Sequence, residues 1–384
     1  MTQPGDEVAA VDTPALVIDV DAMERNLERM ASFARSAGVR LRPHAKMHKS
    51  AELARMQIAA GAVGVCVQKP SEAERLADAG VLDIYISNEV VSPEKLTRVA
   101  ALARTLASRG GRLAIAVDGP VGIGRLAAAV AVAARSAEID VFVEIDVGQG
   151  RCGVPGADRD PSAAIALARE VTRAPGLRFA GLQAYHGRAQ HIRSVEGRRA
   201  AVAASAASVR ATRHALERSG IPAPLVTGAG TGTFVLEAAS GACDELQPGS
   251  YLFMDRDYAD NERDPTAPQF EHALFVKAQV MSVGARHAVV DAGLKSHAVD
   301  SGPPRVHDPS GRHALVFENA SDEHGVLRPV EGSQLPAVGD TVWLVPGHCD
   351  PTVNMYDQYV AVRGGLVHGH VDRFVRVDAR GAIT

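Results

Sequence analysis

The feature that most constrains the fold is a regular alternation of strand-like and helix-like segments along the first two-thirds of the chain. Residues 21–37, for example, place apolar side chains at helical spacing, and Gly38 follows as a stop signal. The predicted helices are 21–37, 50–60, 71–79, 93–107, 121–136, 162–172 and 195–219. The predicted strands are 39–42, 63–67, 84–87, 112–117, 140–146, 178–183, 225–227 and, as an eighth, part of 245–254.

Eight strands separated by helices are typical of a (β/α)8 barrel. The competing architecture is a doubly wound open sheet, whose dinucleotide-binding form carries GxGxxG directly after its first strand. No such motif follows the strand predicted at 39–42. The sequence therefore predicts an α/β fold built on a TIM-type (β/α)8 barrel.

Beyond about Phe270 the pattern changes to short, valine-rich segments separated by Gly or Pro. Such segments predict a second, antiparallel β-domain. They are 275–283, 287–291, 314–318, 341–345 and 358–362. We expect a barrel over 21–260 and a β-domain over 261–384 that includes 1–20. The extended segment Pro14–Val20 is compatible with either part.

The composition excludes several classes of protein. A net charge of -4 without a clustered basic face argues against a nucleic-acid partner. No run approaches the roughly 18 apolar residues of a membrane span, and the polar, acidic N-terminus does not look like a signal peptide. The four cysteines are far apart and form no CxxC, which favours a reducing cytoplasm over a disulfide framework.

A basic segment, residues 42–49 (RPHAKMHK), follows the first predicted barrel strand. Active sites of such barrels are built at the carboxyl ends of the strands. Neighbouring positive charges lower the pKa of a lysine such as Lys46, which Schiff-base chemistry requires. The same composition is also that of an ordinary solvated loop.

A glycine-rich segment, residues 228–233 (GAGTGT), follows the seventh predicted strand. Glycines let backbone N–H groups approach an anion, and phosphate sites in barrels commonly lie after strands seven and eight. A flexible turn would have the same composition. Phosphate binding together with a lysine on the same face of the barrel indicates pyridoxal phosphate.

The tripeptide His348-Cys349-Asp350 is a candidate metal site. On an extended segment, residues i and i+2 project to the same side, so His348 and Asp350 can share one ion while Cys349 faces away. Two protein ligands leave positions open for water and substrate, as in a catalytic site. An ordinary pair of polar residues at a strand end has the same spacing.

Several of these clusters occur in an order that resembles one known family. The similar stretches are DTP (12–14), RPHAKMHKS (42–50), QKPSEAE (68–74), ISNEV (86–90), VEIDVGQGRCGV (143–154), GLQAYHG (181–187), TGAGTGT (227–233), ELQPGSYLFMD (245–255), VVDAGLKS (289–296), SDEHGV (321–326) and VPGHCDPTVN (345–354). Together they resemble the D-threonine aldolase, 3-hydroxy-D-aspartate aldolase and D-serine dehydratase family. These are fold-type III pyridoxal-phosphate enzymes related to alanine racemase. The resemblance covers nearly the whole chain and also implies a homodimer.

The resemblance assigns roles to particular residues. It implies that Lys46 carries pyridoxal phosphate and that His348 and Asp350 bind the metal. The phosphate contacts that it implies are Gly228, Gly230, Thr231 and Gly232, assisted by Tyr251. Polar residues that follow other predicted strands are further candidates for contact with the cofactor, namely Arg151, Gln183 and Tyr185. His186 is the candidate catalytic base, unless a water on the metal takes that role.

The resemblance also bears on the reaction. Dehydratases of the family look like His-x-Cys with zinc, whereas the aldolases look like His-x-Asp with Mn²⁺, Mg²⁺ or a similar ion such as Co²⁺ or Zn²⁺. Asp350 therefore favours cleavage of a D-3-hydroxy amino acid to glycine and an aldehyde. Residues 46–50 (KMHKS) and 298–304 (AVDSGPP) look more like 3-hydroxy-D-aspartate aldolases, and 181–187 more like D-threonine aldolases. Dehydration to a keto acid and ammonia is the nearest alternative; a racemase and a cofactor-carrying barrel are weaker ones.

Two positions depart from the family pattern. Ala229 stands where a second glycine is expected, and Gln358 stands where an aromatic residue is expected. An alanine fits position 229 unless the backbone there requires a positive φ. A substrate β-carboxylate would need a cation, for which Arg188, Lys295 and Arg305 are the candidates.

Overall fold

The computed structural model describes residues 2–133 and 137–384. Its strands are β1 (Ala15–Asp19), β2 (Arg40–Leu41), β3 (Val65–Val67), β4 (Asp83–Glu89), β5 (Arg112–Val117), β6 (Ile139–Asp146), β7 (Val154–Pro155), β8 (Leu177–Ala184), β9 (Leu225–Gly228), β10 (Glu245–Leu246), β11 (Leu274–Val283), β12 (Ala288–Val290), β13 (Arg305–His307), β14 (Leu315–Ala320), β15 (Gly325–Pro329), β16 (Thr341–Val345), β17 (Gln358–Arg363) and β18 (His370–Arg376). Its α-helices are α1 (Val20–Ala37), α2 (Ala51–Ala59), α3 (Pro70–Asp78), α4 (Pro93–Ser108), α5 (Pro120–Ala133), α6 (Pro161–Arg173), α7 (Val195–Arg218), α8 (Phe234–Ser240), α9 (Arg256–Ala259) and α10 (Cys349–Val353).

The first sheet is parallel and runs in the order β2-β10-β9-β8-β6-β5-β4-β3, with the short β7 beside β6. Backbone hydrogen bonds also join its two ends, because Val63 N donates to Leu41 O (2.9 Å) and Cys66 N donates to Pro43 O (2.8 Å). The sheet therefore curls into the predicted barrel, and the α/β fold class is confirmed. All these strands direct their carboxyl ends to one face, where the polar motifs follow them.

The first and eighth barrel strands are shorter than the sequence predicts, with two residues each. Pro43 and Pro248 follow them and have no backbone N–H to donate to a neighbouring strand. After β10 the chain forms a 3-10 turn, Ser250–Leu252, rather than a longer strand. The helix predicted over 121–136 is described as far as Ala133, and residues 134–136 lie outside the described residues.

The second sheet is mostly antiparallel and runs in the order β14-β15-β12-β11-β1-β17-β18, with β16 joining β11 to β13. Pro14–Val20, which the sequence alone does not assign to either domain, contributes β1 to this sheet. β1 pairs antiparallel with β11 and parallel with β17. The division of the chain at residue 260 stays a prediction.

Helix α1 shows how the sequence sets the junction between the two sheets. It follows β1 directly, and the Asp19 side chain caps it by accepting from Ala22 N. Met23 and Met30 are buried against the core, and Gly38 ends the helix in the left-handed conformation (φ 66°). No helix in the two described ranges is long and apolar enough to cross a membrane.

Candidate active site

A cavity of about 400 Å³ opens at the carboxyl ends of the barrel strands, beside the turn that follows β16. Three separate sequence motifs meet there: the basic segment, the glycine-rich segment and the His-Cys-Asp tripeptide. The predicted site residues that line the cavity are Lys46, Arg151, Gln183, Tyr185, Gly230, Thr231, His348 and Asp350. The predicted residues Gly228, Gly232, Tyr251 and His186 are not among its lining residues.

Lys46 sits on a 3-10 turn, Ala45–Met47, immediately after β2. Its Nζ lies 3.2 Å from Asp350 Oδ2, so the two candidate cofactor sites are in direct contact. The Asp350 carboxylate raises the pKa of the Lys46 ammonium above its ordinary value, so the lowered pKa that the basic segment predicts for this lysine is wrong here. Burial pushes the pKa of Asp350 upward, but Lys46 and His348 outweigh that effect and keep it below its ordinary value.

His44 belongs to the basic segment, where no sequence signal distinguishes it from its neighbours. Its ring Nε2 lies 2.8 Å from Gln68 Nε2 and 3.3 Å from Ser87 Oγ, and all three residues line the cavity. Burial, together with the charge of Lys46, lowers the pKa of His44 well below its ordinary value. The ring is therefore neutral at physiological pH, and it adds no positive charge beside Lys46.

The glycine-rich segment is pressed against Gln190, a fully buried side chain. A Cβ on Gly230 would lie 2.5 Å from Gln190 Oε1, and Gly232 N donates to the same oxygen (3.0 Å). A side chain at position 230 would overlap the buried side chain of Gln190, so glycine lets the loop lie against that residue. Thr231 Oγ1 accepts from Tyr251 N (3.1 Å), which joins the loop to the turn after β10.

Ala229 has φ 68°, so the departure from the family pattern falls on a left-handed position. Such a conformation costs a non-glycine residue about 1–2 kcal/mol. The side chain is fully buried, and one buried methyl group contributes about 0.8 kcal/mol. The alanine is therefore tolerated because its burial offsets much of its backbone cost.

The flat face of Tyr185 and the guanidinium of Arg151 lie together in the cavity, with Arg151 Cζ 5.7 Å from the ring centroid. Gln183 Oε1 accepts from Tyr85 and Gln247 Nε2, both at 2.9 Å, which fixes its side chain at the bottom of the barrel mouth. A ring-bearing anion would find an aromatic face, a cation and the glycine-rich loop here. These residues fit a cofactor with an aromatic ring and a phosphate.

Tyr251 lies behind the loop, with its hydroxyl accepting from Gln57 Nε2 (3.0 Å) and its side chain fully buried. His186 caps the 3-10 helix Gly187–His191, and its Nδ1 accepts from Ala189 N (3.3 Å). That bond leaves the proton of the neutral ring on Nε2. His186 is thus half-buried beside the cavity rather than in its lining, and its catalytic role stays a prediction.

The candidate metal ligands His348 and Asp350 lie side by side, but they do not share the extended segment that the sequence predicts. Only His348 is extended, while Asp350 lies in the first turn of the short helix α10. His348 Nε2 is 3.6 Å from Asp350 Oδ1, a separation that two ligands of one ion can adopt. The buried Cys349 is held by its backbone N, which donates to Asp255 Oδ2 (3.1 Å). Imidazole and carboxylate together fit a divalent metal ion.

Two further residues in the cavity lining escaped the sequence analysis. His191 Nδ1 lies 2.6 Å from Asp257 Oδ2, and the ring of Tyr258 packs against His191. The sequence signal for His191 is its place four residues beyond QAYHG (183–187), and a single histidine is weak evidence.

Of the three cations considered for a substrate carboxylate, Arg188 lines the cavity. Lys295 pairs with Glu323 and Asp322, and Arg305 pairs with Asp260.

The barrel mouth with its lysine, beside a second, mostly antiparallel sheet, defines the alanine-racemase-like class of enzymes. Residues 18–257 match the family model described as "Alanine racemase, N-terminal domain", and residues 273–362 match "Putative serine dehydratase domain". The crystal structure of a D-threonine aldolase from Filomicrobium marinum superposes with a TM-score of 0.93, at 46% identity and covering 100% of both chains.

Curated relatives agree with this placement. A D-threonine aldolase from Arthrobacter sp. is 47% identical over 95% of this chain and 93% of that protein. A 3-hydroxy-D-aspartate aldolase from Paracoccus denitrificans (strain Pd 1222) is 43% identical over 95% and 92%. A D-threo-3-hydroxyaspartate dehydratase from Delftia sp. (strain HT23) is more distant, at 31% over 93% and 96%.

The chain therefore belongs to the family of D-threonine aldolases, 3-hydroxy-D-aspartate aldolases and D-serine dehydratases that the sequence predicted. The two nearer of these relatives carry the names of aldolases, which are lyases. Membership in this fold-type III family implies pyridoxal phosphate as the cofactor.

Proposed function

We propose that this protein is an aldolase that uses pyridoxal phosphate and a divalent metal ion to cleave D-3-hydroxy amino acids to glycine and an aldehyde. The observation that carries the proposal is the contact between Lys46 Nζ and Asp350 Oδ2, 3.2 Å apart in one cavity. It supports a site in which a cofactor on Lys46 and a metal on Asp350 act on the same small substrate. The candidate substrates are 3-hydroxy-D-aspartate and D-threonine, with glyoxylate and acetaldehyde as the respective aldehydes.

Lys46 would hold the pyridoxal phosphate covalently, and the segment from Gly228 to Gly232 would hold its phosphate. When bound, the cofactor supplies an electron sink for the pair released when Cα–Cβ breaks. Arg151 and Tyr185 would orient the ring, and Gln183, whose side chain is fixed by two hydrogen bonds, would also contact the cofactor. Tyr251 would act indirectly, because it positions the loop through Thr231.

His348 and Asp350 would hold the metal ion, for which Mn²⁺ and Mg²⁺ are the first candidates and Co²⁺ and Zn²⁺ the next. A divalent ion at this place supplies a Lewis acid that lowers the pKa of a substrate hydroxyl. Asp350 rather than cysteine at this position, together with two nearer relatives that are named aldolases, favours cleavage over dehydration.

The candidates for the base that takes the proton from the 3-hydroxyl are His186, a water on the metal ion and, from the structure, His191. With the Asp257 carboxylate ionised, His191 Nδ1 donates to it, and Nε2 is left with a free lone pair. His186 carries its proton on Nε2, as its bond to Ala189 N requires. The geometry therefore favours His191, which also lines the cavity.

A homodimer and a cytoplasmic location, both predicted from the sequence, remain proposals. The four cysteines are all free, which fits a reducing compartment. The oligomeric state is accessible to light scattering on the holoenzyme.

The test is a product assay with pyridoxal phosphate and Mn²⁺, in which D-threonine and 3-hydroxy-D-aspartate are supplied separately. We expect glycine and an aldehyde, lost with EDTA, and the faster substrate identifies the branch. Lys46→Ala should abolish both turnover and the visible absorbance band of bound cofactor, because the covalent attachment is lost. Ammonia and a keto acid instead of glycine would make the protein a dehydratase.

A further inference from the structure

The segment Ala298–Pro304 is one of the stretches that resemble a particular branch of the family, yet none of its residues lines the cavity. It contacts the turn that carries His348 and Asp350. Any effect of the segment on the site is therefore exerted through that turn.

Hydrogen bonds join the segment to the metal-site turn. Ala298 N donates to Thr352 Oγ1 (3.1 Å), and the same hydroxyl donates to the carbonyl of His348 (2.8 Å). Ala298 and Thr352 are both buried. One threonine thus connects the start of the segment to the backbone of the candidate ligand.

A close backbone approach fixes the other end of the segment. A Cβ on Gly347 would overlap the carbonyl oxygen of Gly302, so only glycine allows the two chains to lie this close. Arg256 Nη1 donates to the carbonyl of Pro303 (2.6 Å). Asp300 lies between these two anchored points, so its backbone position relative to His348 is determined.

From this position the side chain of Asp300 contacts the ring of His348. Its Oδ2 lies 2.7 Å from His348 Nδ1, while Nε2 of the same ring lies 3.6 Å from Asp350 Oδ1. The two nitrogens therefore have separate partners on opposite sides of the ring. The His348 side chain is 26% exposed and that of Asp300 is 50% exposed, so the carboxylate covers the outer side of the ring.

A carboxylate at Nδ1 determines what the other nitrogen can do. Nδ1–H donates to the carboxylate, so the lone pair of the neutral ring lies on Nε2, the nitrogen that faces Asp350. Carboxylate partners of this kind orient metal-binding histidines, and their removal commonly costs 10–100-fold in metal affinity.

We propose that Asp300 is a positioning residue that holds His348 in the orientation and tautomer needed for metal binding. This inference rests on the metal site of the proposed function. It assigns the AVDSGPP motif a role in affinity for the ion rather than in contact with the substrate.

The experiment measures the Kd for Mn²⁺ from the electron paramagnetic resonance signal of the free ion, using the full chain loaded with pyridoxal phosphate. We expect Asp300→Ala to raise the Kd by 10–100-fold. Asp300→Asn should lie in between, because its amide oxygen can still accept from Nδ1–H but carries no charge. Glu318→Gln removes an exposed carboxylate of the second sheet, on β14, and should leave the Kd within about twofold.

Thermal unfolding without metal separates positioning from general stability. The half-exposed Asp300 variants should unfold at the temperature of the unmodified protein when no metal is present, and should lose only the stabilisation that Mn²⁺ gives. A Kd unchanged in Asp300→Ala, while His348→Ala abolishes binding, would overturn this inference alone. Mn²⁺ binding that survives in His348→Ala would instead overturn the proposed metal site.

Discussion

His186 and His191 begin and end the same 3-10 turn, and only their hydrogen bonds distinguish their chemistry. We expect His191→Ala to lower kcat by about 10²–10⁴-fold, the usual contribution of a general base. His186→Ala should lower it less, because its ring is engaged by the backbone of Ala189. Steady-state kinetics of both variants with one substrate check the assignment, and the reverse order of the two effects would return the role to His186.

Glu237 is a buried acid that supports the glycine-rich loop from below. Its Oε2 accepts from Thr233 Oγ1 (2.7 Å), whose hydroxyl oxygen in turn accepts from Gln190 Nε2 (2.7 Å). Burial raises the pKa of Glu237 to about 7, although its bonds from Thr233 and the backbone of Gly230 act in the opposite direction. The charge of an ionised Glu237 raises the pKa of two neighbouring groups, Cys243 and Tyr185.

This shift makes stability depend on pH in a defined window. Between pH 4.5, the ordinary value, and about 7, the unfolded chain ionises Glu237 while the folded protein keeps it protonated. The contribution of Glu237 is thus complete below pH 4.5 and is lost as the pH rises to about 7, amounting to about 3 kcal/mol. Glu237→Gln removes this loss. The difference in free energy of unfolding between the variant and the unmodified protein should therefore shift in favour of the variant as the pH rises from 4.5 to 8.

Urea unfolding at the two pH values checks this prediction. Glu217→Gln, which changes an exposed glutamate on α7, is the matched control and should show the pH dependence of the unmodified protein. Parallel pH profiles for Glu237→Gln and the unmodified protein would mean that Glu237 does not remain protonated in the fold.

At the scale of elements, β1 is the strand that ties the start of the chain to its end. Leu16 and Val17 face opposite sides of the second sheet, and both are buried, each in a different apolar cluster. Strands buried on both faces show no alternation of apolar and polar residues. That is why residues 14–20 could not be assigned to either part from the sequence.

We expect Leu16→Ala to lower the free energy of unfolding by about 2–5 kcal/mol, because a cavity is left where β1 meets β11. Val316→Ala on β14 is the control, since Val316 is 54% exposed and should change stability by less than about 0.5 kcal/mol. Chemical denaturation of both variants provides the measurement. Equal losses in the two would show that β1 is not part of the cooperative core.

For the whole molecule, the barrel, the second sheet and the family could be predicted because they leave continuous signals in the sequence. Helical periodicity, valine-rich segments and motifs such as RPHAKMHK can all be identified within short stretches. Two-residue strands such as β2 and β10 carry no period, so their limits could not be predicted.

The site was predicted unevenly for a similar reason. Lys46, His348 and Asp350 lie within compact motifs and meet in the cavity as expected. Asp300 and His191 depend on contacts with His348 and Asp257, which come from other segments of the chain. Such contacts are set by tertiary structure, and a single sequence does not reveal which distant residues meet.

The contact between Lys46 and Asp350 joins the turn after the first barrel strand to a turn near the end of the chain. During synthesis on the ribosome, Lys46 is made about 300 residues before Asp350. A nascent chain therefore carries the lysine without its carboxylate partner until residue 350 has been added. A chain that stops before that residue cannot assemble both halves of the site.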